Sequence, residues 1–463
     1  MGERWRTYLG LFAVGVAGYM PLSAVGADDW LRFRGPNGSG VSSDPEPVPA
    51  TWSETENLRW RVALPGPGSS SPIIVGDKVL VTCWSGYGTD QRNPGDQKDL
   101  KRHLICFQRG DGTELWNKEI AAELPEDVYG GMFAEHGYAS HTPVSDGEKV
   151  FAFFGKSGVV AFDLEGNELW RREVGTGSDS RGWGSASSPV LQGDLVIVPA
   201  FAESQTLYAF NKNTGEEAWK FEAEGFSGTW GTPVIVPREE GKADVVIGVP
   251  YEIWAFDAAS GKVSWYAAAM DTNTYCSSVV TDGEVVYGIE GRGGGSIAVR
   301  ANGEGDVTQS HVVWSGRDTN RIGTPILHEG RIYFIAGGIA NCIDAKTGES
   351  IYRERLTAPE RANVEAPPVG QEGGFPGRGG GRGGRGGMGG QDYSSPILVD
   401  GKVIYVTRGG DMYVVKAGAE FEQLGANRVT SEREDFSSSP ATSGGDLFIR
   451  SSKHLYCIGL SGS

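Results

Sequence analysis

The 463-residue chain has little of what most redox and metal chemistry requires. Its five cysteines are scattered, with no Cys-x-x-Cys-His run for haem attachment and no adjacent pair, and there are only six histidines. Positive charge is scarce too: 42 Lys and Arg stand against 59 Asp and Glu, a formal charge of −17. Such a surface repels nucleic acid and anionic lipid at long range, so neither is an expected partner. Long apolar runs are also missing. The nearest candidate, Leu9 to Tyr19, has about a dozen residues, too few to span a bilayer comfortably. Arg4 and Arg6 precede it and the small residues Ser23-Ala24-Val25-Gly26-Ala27 follow, so residues 1–27 read as a signal peptide and the mature chain as periplasmic or secreted. Removing Arg4, Arg6 and Glu3 takes away a net +1 and leaves about −18.

What the chain does have is glycine, 71 residues of it, set between short β-branched runs. Residues 187–219 give the unit. Runs of strand formers are broken at Gly193-Asp194, around Glu203 to Gln205, and at Asn213-Thr214-Gly215, where Gly and Asx supply the positive φ of tight turns. Four antiparallel strands, A to D, follow, the last carrying Trp219. The same unit recurs eight times, with A strands opening at Pro72, Pro143, Pro189, Pro233, Val279, Pro325, Pro396 and Pro440. Closing aromatics recur as well: Trp170, Trp219, Trp265 and Trp314 are 49, 46 and 49 residues apart, the period of a four-stranded propeller blade. One such sheet cannot bury both its faces, so the copies stack radially. The eighth copy stops after three strands, and Asn57 to Val62, with its own Trp60, supplies the missing fourth. The expected fold is all-β: an eight-bladed propeller over residues 57–463, preceded by a strap and linker at 28–56.

The pattern Ala-Phe-Asp-x-x-(Thr/Ser)-Gly-x-x-x-Trp, present at Ala255 to Trp265 and weaker at Ala161 to Trp170 and Ala209 to Trp219, resembles the tryptophan-docking repeat of pyrroloquinoline-quinone-type propellers. Those include quinoprotein alcohol dehydrogenases and the propeller subunit of the outer-membrane β-barrel assembly machinery. The lead Trp30-Leu31-Arg32-Phe33-Arg34-Gly35-Pro36 resembles the start of exported propellers of this type, planctomycete ones among them, and is expected to pack along the closing blade. The resemblance implies a fold rather than a function, because the Trp and Gly serve architecture. No Cys lies near the cleavage point, so the lipid anchor of the assembly-machinery propeller is not expected.

Cys106, Cys342 and Cys457 fall on C strands where other copies have Ala161, Ala209, Ala255 and Ala298, so they read as small core residues. Cys83 and Cys106, on adjacent strands of the first blade, are the one pair placed for a disulfide. Long insertions at 85–103, 120–140 and 353–393 all emerge on the rim shared by B-to-C and D-to-A connections, which marks it as the binding rim. The last contains an Arg-Gly-Gly tract, Gly377 to Gly387. In an exported acidic chain, with only three Arg in the tract, it reads as a flexible loop rather than an RNA site.

Residues just before the A strands should stand at the channel mouth on that rim. They include Trp183, Trp230, Tyr275, Arg321 and Tyr393, joined by Arg408 from a B-to-C turn: faces to stack on and forked donors for a flat anionic ligand. A planar quinone fits that description, and so does an acidic sugar. The resemblance to quinoprotein dehydrogenases would place Trp230 beneath pyrroloquinoline quinone, with Asp392 or Asp435 as base or calcium ligand. The vicinal disulfide of those enzymes is missing, and no Glu/Asn/Asp calcium set can be assigned. His136 and His141, five apart in a loop, are the candidate metal pair, with Asp435 as a third ligand. The expected function is a monomeric, non-catalytic scaffold that holds a protein, small-molecule or carbohydrate partner on the rim. A quinone-dependent alcohol or sugar dehydrogenase is the alternative.

Overall fold

A computed structural model of the chain describes residues 29–90, 92–290, 294–359 and 392–460. The signal-peptide segment and most of the 353–393 insertion, with its Arg-Gly-Gly tract, lie outside the described residues. Eight sheets follow one another around the ring. Their innermost strands are Ile73–Val75, Val144–Ser145, Val190–Gln192, Val234–Pro237, Val280–Thr281, Ile326–His328, Ile397–Val399 and Ala441–Ser443, each one residue beyond the opening position read from the repeat. Val190–Gln192 pairs with Leu195–Ala200, which pairs with Thr206–Asn211, which pairs with Glu217–Glu222, all antiparallel. The last sheet is completed from the other end of the chain: Leu58–Ala63 pairs with His454–Ile458, with Trp60 opposite Cys457. The ring is therefore closed by β-ladder hydrogen bonds between the first and last blades, and that sheet keeps no gap where its fourth strand belongs.

The repeat motif is explained by packing between blades. Within a sheet, each closing aromatic lies opposite a small C-strand residue: Ala161 faces Trp170, Ala209 faces Trp219, and the cysteines do the same, Cys106 facing Trp116 and Cys342 facing Tyr352. Between sheets, the indole N–H donates to a carbonyl of the next blade's C-to-D turn, Trp219 Nε1 to Ala258 O at 3.0 Å and Trp170 Nε1 to Lys212 O at 3.0 Å. The turn glycine lies on the indole face. At Gly261, φ is +69° and an added Cβ would stand 2.4 Å from Trp219 Cε3. Gly261→Ala is therefore expected to cost about 3 kcal/mol, from left-handed strain plus a clash at the blade interface. Gly193→Ala, with φ +57° but open space around it, should cost only about 1 kcal/mol. Urea denaturation of the two variants checks the difference, and equal losses would mean that the indole contact carries no energy.

Blade four departs from the pattern. Residues Gly305–Asp306, from the lengthened turn of blade five, pair parallel with Val263–Ala268 and cover Trp265, which is fully buried with no partner for its indole N–H among the described residues.

Cys83, Cys106, Cys342 and Cys457 are free thiols. Cys83 and Cys106 share a blade but face opposite sides of it, Cys83 in the core shared with blade eight and Cys106 in the core shared with blade two. The strand parity that separates neighbours by one face forbids the anticipated bond. Their burial pushes both thiols up to about 12.

The first two insertions are shorter than expected, because strands Lys78–Ser85, Lys101–Gln108 and Glu114–Ala121 run into them. The loops between pack on each other, and Trp84, Tyr87, Phe133 and Tyr138 form a small core of their own. Beneath it Arg102 and Glu126 pair at 2.5 Å with side chains 4% and 2% exposed. No helix among the described residues is long and apolar enough to cross a membrane.

Candidate functional site

The channel mouth is built from the residue that stands two positions before each A strand. In all eight copies it is Ser or Thr: Ser71, Thr142, Ser188, Thr232, Ser278, Thr324, Ser395 and Ser439. Each hydroxyl oxygen from Thr142 onward accepts the backbone N–H of its counterpart in the preceding blade, from Ser71 N to Thr142 Oγ1 at 2.9 Å round to Ser395 N to Ser439 Oγ at 2.8 Å, seven links in all. The eighth link, at the junction of last and first blades, is not made, and Ser71 Oγ is buried without a partner. Arg450 fills that seam instead, donating to Thr82 O at 2.5 Å and Ser70 Oγ at 2.9 Å.

Below the ring, the N-terminal strap runs through the channel rather than along the closing blade. The A strands are innermost, so their inner edges have unpaired backbone groups, and the strap meets this need. Trp30 pairs with Ile74 of blade one, Leu31 O accepts from Ser145 N of blade two, and Gly40 O accepts from Leu398 N of blade seven. Arg32 donates to Pro233 O at 2.9 Å. Arg34, fully buried, donates to Thr324 O at 2.7 Å, Pro325 O at 2.5 Å and Pro396 O at 3.2 Å. Phe33, between the two arginines, forms the floor of the cavity above.

The roof comes from the loop after Ala121. Glu135 reaches across to bond Arg408 of blade seven, whose Nε also donates to Asp435 at 2.6 Å. On the other side His136 Nε2 meets Trp183 O at 2.5 Å, which requires the proton on Nε2, so Nδ1 accepts from Ser140 Oγ at 2.7 Å. Burial holds this imidazole below its ordinary pKa, hence neutral. Between floor and roof lies a cavity of about 120 Å³, open at its mouth.

Of the residues anticipated from sequence, Trp183, Trp230, Arg321, Tyr393 and His136 line this cavity. The two indoles lie together, centroids 4.9 Å apart, and Arg321 Cζ is 5.8 Å from the Trp183 ring. Trp230 is thus a wall residue, and the floor position belongs to Phe33. The other candidates point elsewhere. Tyr275 is fully buried against Gly248 and Gly288, where an added Cβ would come within 2.3 Å of its ring or hydroxyl. Arg408 stands above Tyr393, 5.2 Å from its ring, within the roof network. Asp392 accepts from Tyr405 Oη at 2.7 Å and Arg408 N at 2.8 Å, and Asp435 is held by Arg408. His141 lies behind the wall, buried, with Nε2 2.9 Å from Ser185 Oγ, and among the described residues no group of three or more His, Cys, Asp or Glu forms around it and His136. Sequence reasoning missed Phe33, Met132, Cys276 and the hydroxyl ring. The ring had a signal, since Ser or Thr precedes the strand in every copy.

Residues 40–196 and 155–372 match the family model described as outer membrane protein assembly factor BamB, together more than half of the chain. The chain belongs to that family. No curated protein matches it. Among solved structures this BamB-family propeller is similar to BamB from Moraxella catarrhalis, at 10% identity and a TM-score of 0.54 over 86% of this chain and 98% of that one. It is also similar to a europium-containing methanol dehydrogenase, at 11% identity and TM-score 0.62 over 94% and 98% of the two chains. A third is the quinohemoprotein alcohol dehydrogenase ADHIIG of Pseudomonas putida HK5, at 10% identity and TM-score 0.56 over 94% and 81%. At these identities the likeness is one of fold.

The donor set of the BamB-family cavity does not suit a metal-bound quinone. Among the described residues no carboxylate lines it, and no group of three or more His, Cys, Asp or Glu is placed to hold a metal ion. The two aspartates anticipated for base or calcium duty are committed to Arg408 and Tyr405.

Proposed function

We propose that this BamB-family propeller is an exported, non-catalytic binding protein that holds a small-molecule, carbohydrate or protein partner at its loop-decorated rim, with the roofed cavity at the channel mouth as its grip. The observation that carries this is the chemistry of the lining: stacking faces, hydroxyl donors and one guanidinium, with neither carboxylate nor free imidazole to act as a base. Such a wall can bind and orient, but abstracting a proton from an alcohol needs a basic group within hydrogen-bond reach.

The alternative, a quinone-dependent dehydrogenase, draws support from Trp183, Trp230 and Arg321 lining one cavity and from the dehydrogenases among the fold neighbours. Dye-linked oxidation of alcohols and aldoses, after incubation with pyrroloquinoline quinone and calcium, separates the two. The expected result is no dye reduction above that of an Arg321→Gln variant. Turnover by the wild type that is lost in Asp435→Asn would replace the binding reading with the enzymatic one.

A further inference from the structure

We infer that the cavity takes a small ring compound bearing a carboxylate, with the carboxylate at Arg321 and a ring face against the Trp183 and Trp230 wall. This rests on the binding reading above and names its ligand class.

Charge is the first argument. The whole chain carries −17, yet Arg321 is the one charged side chain among the described residues lining the cavity. Three further guanidiniums bond residues of the wall or their chain neighbours: Arg34 reaches Thr324 O, Arg450 reaches Ser70 beside Ser69, and Arg32 reaches Pro233 O beside Thr232. Arg34 and Arg450 are 0% exposed and Arg32 8%, and all three donate to carbonyls or hydroxyls rather than to any described carboxylate. Arg32 Nε and Arg450 Nη2 are buried donors with no acceptor among the described residues. Buried charge without a counter-charge is costly, and Coulomb forces in such a setting are weakly screened, so an anion in the cavity would compensate what the described residues leave uncompensated.

Hydrogen bonding points the same way. The hydroxyl oxygens of Ser188, Thr232, Ser278, Thr324, Ser395 and Ser439 face the cavity and already accept a backbone N–H each. Their protons have no acceptor among the described residues, so the wall presents donors and wants acceptor oxygens. The flat face comes from the indole pair, and because Arg321 stands over the Trp183 ring, a carboxylate forked onto the guanidinium brings its ring to the indoles. A simple inorganic anion would leave those faces unused.

A sugar acid and an aromatic carboxylate share this chemistry. Calorimetric titration of the purified mature protein at low salt with D-glucuronate and D-glucose, and with benzoate and benzamide, tells them apart. At least one acid should bind about tenfold or more tighter than its neutral counterpart, and the acid that does so identifies the source. Its affinity should weaken with added salt. Arg321→Gln should remove about that tenfold preference, and Trp183→Ala should weaken acid and neutral compound alike, with urea midpoints confirming that both variants fold. Equal binding of acid and neutral partner would overturn the anionic class while leaving a binding cavity. No binding by any of the four would overturn both the class and the cavity's role in function.

Discussion

Arg34→Ala is expected to lower the stability of the propeller by about 3–5 kcal/mol, the range for removing one side of a buried charged network. The guanidinium is 0% exposed, and its three nitrogens donate to five carbonyls: Gly38 at 3.2 Å, Ser39 at 3.0 Å, Thr324 at 2.7 Å, Pro325 at 2.5 Å and Pro396 at 3.2 Å. Three of these lie at the start of the A strands of blades six and seven, and two fold the strap back on itself. Truncation leaves five carbonyls, four of them in buried contacts, without this donor, and each buried loss costs about 1 kcal/mol or more. Arg34→Lys should recover less than half of the loss, since an ammonium is a point donor and cannot reach five acceptors in one plane. Chemical denaturation monitored by tryptophan fluorescence gives both values. A loss below about 1 kcal/mol would show that the strap is an accessory to the ring rather than its hub.

The second large effect is a stability profile with two opposed limbs, set by two buried groups bridged through Ser185. His141 Nε2 lies 2.9 Å from Ser185 Oγ, which donates to Glu203 Oε2 at 3.3 Å. Burial, with Arg102 and then His136 adding to it, lowers the His141 imidazole to about 3. Burial raises the Glu203 carboxyl to about 7, against its hydrogen bonds and Arg102, with Asp127 adding slightly to the rise. The signs differ. The folded pKa of His141 is depressed, so its contribution is present above the unfolded value near 6.5 and is lost as pH falls towards 3, by about 5 kcal/mol. The folded pKa of Glu203 is raised, so its contribution is present below the unfolded value near 4.5 and is lost as pH rises to 7, by about 3 kcal/mol. Between about pH 4.5 and 6.5 the slopes oppose, and a plateau is expected there. Glu203→Gln should abolish the fall towards pH 7 and turn the plateau into a rise, whereas His141→Gln should flatten the acid limb. Urea midpoints of the three proteins from pH 4 to 8 test this, and superimposable profiles would contradict it.

These groups also show what a single sequence makes legible. The ring was readable because each blade repeats the same physical problem: a turn that needs positive φ, and an indole that needs a carbonyl. Gly261 and Trp219 therefore leave a periodic trace. The fourth strand at Leu58–Ala63 was readable from an absence, an eighth copy one strand short. The site was only partly so. Position in the repeat brought Trp183, Trp230, Arg321, Tyr393 and His136 to the mouth, since all directly precede an A strand or lie in its approach. It could not reveal that Tyr275 turns into the gap left by Gly248 and Gly288, or that Arg408 is drawn off by Glu135 from a loop 273 residues away. Such contacts depend on distant segments meeting, and neither has a local signature. The strap is the clearest case: the lead that holds Arg32 and Arg34 was expected along the closing blade, and only the closed ring, with its inner strand edges, gives the two arginines buried carbonyls to hold.

The most direct test of the binding cavity is its own fluorescence, because Trp183 and Trp230 stand in the wall. Titrating the protein with D-glucuronate or benzoate, with and without calcium, should give a saturable change in tryptophan emission that calcium leaves untouched and that Arg321→Gln shifts to about tenfold higher concentration. An emission change seen only with pyrroloquinoline quinone plus calcium, and with neither acid alone, would contradict the non-catalytic reading and return the cavity to quinone chemistry.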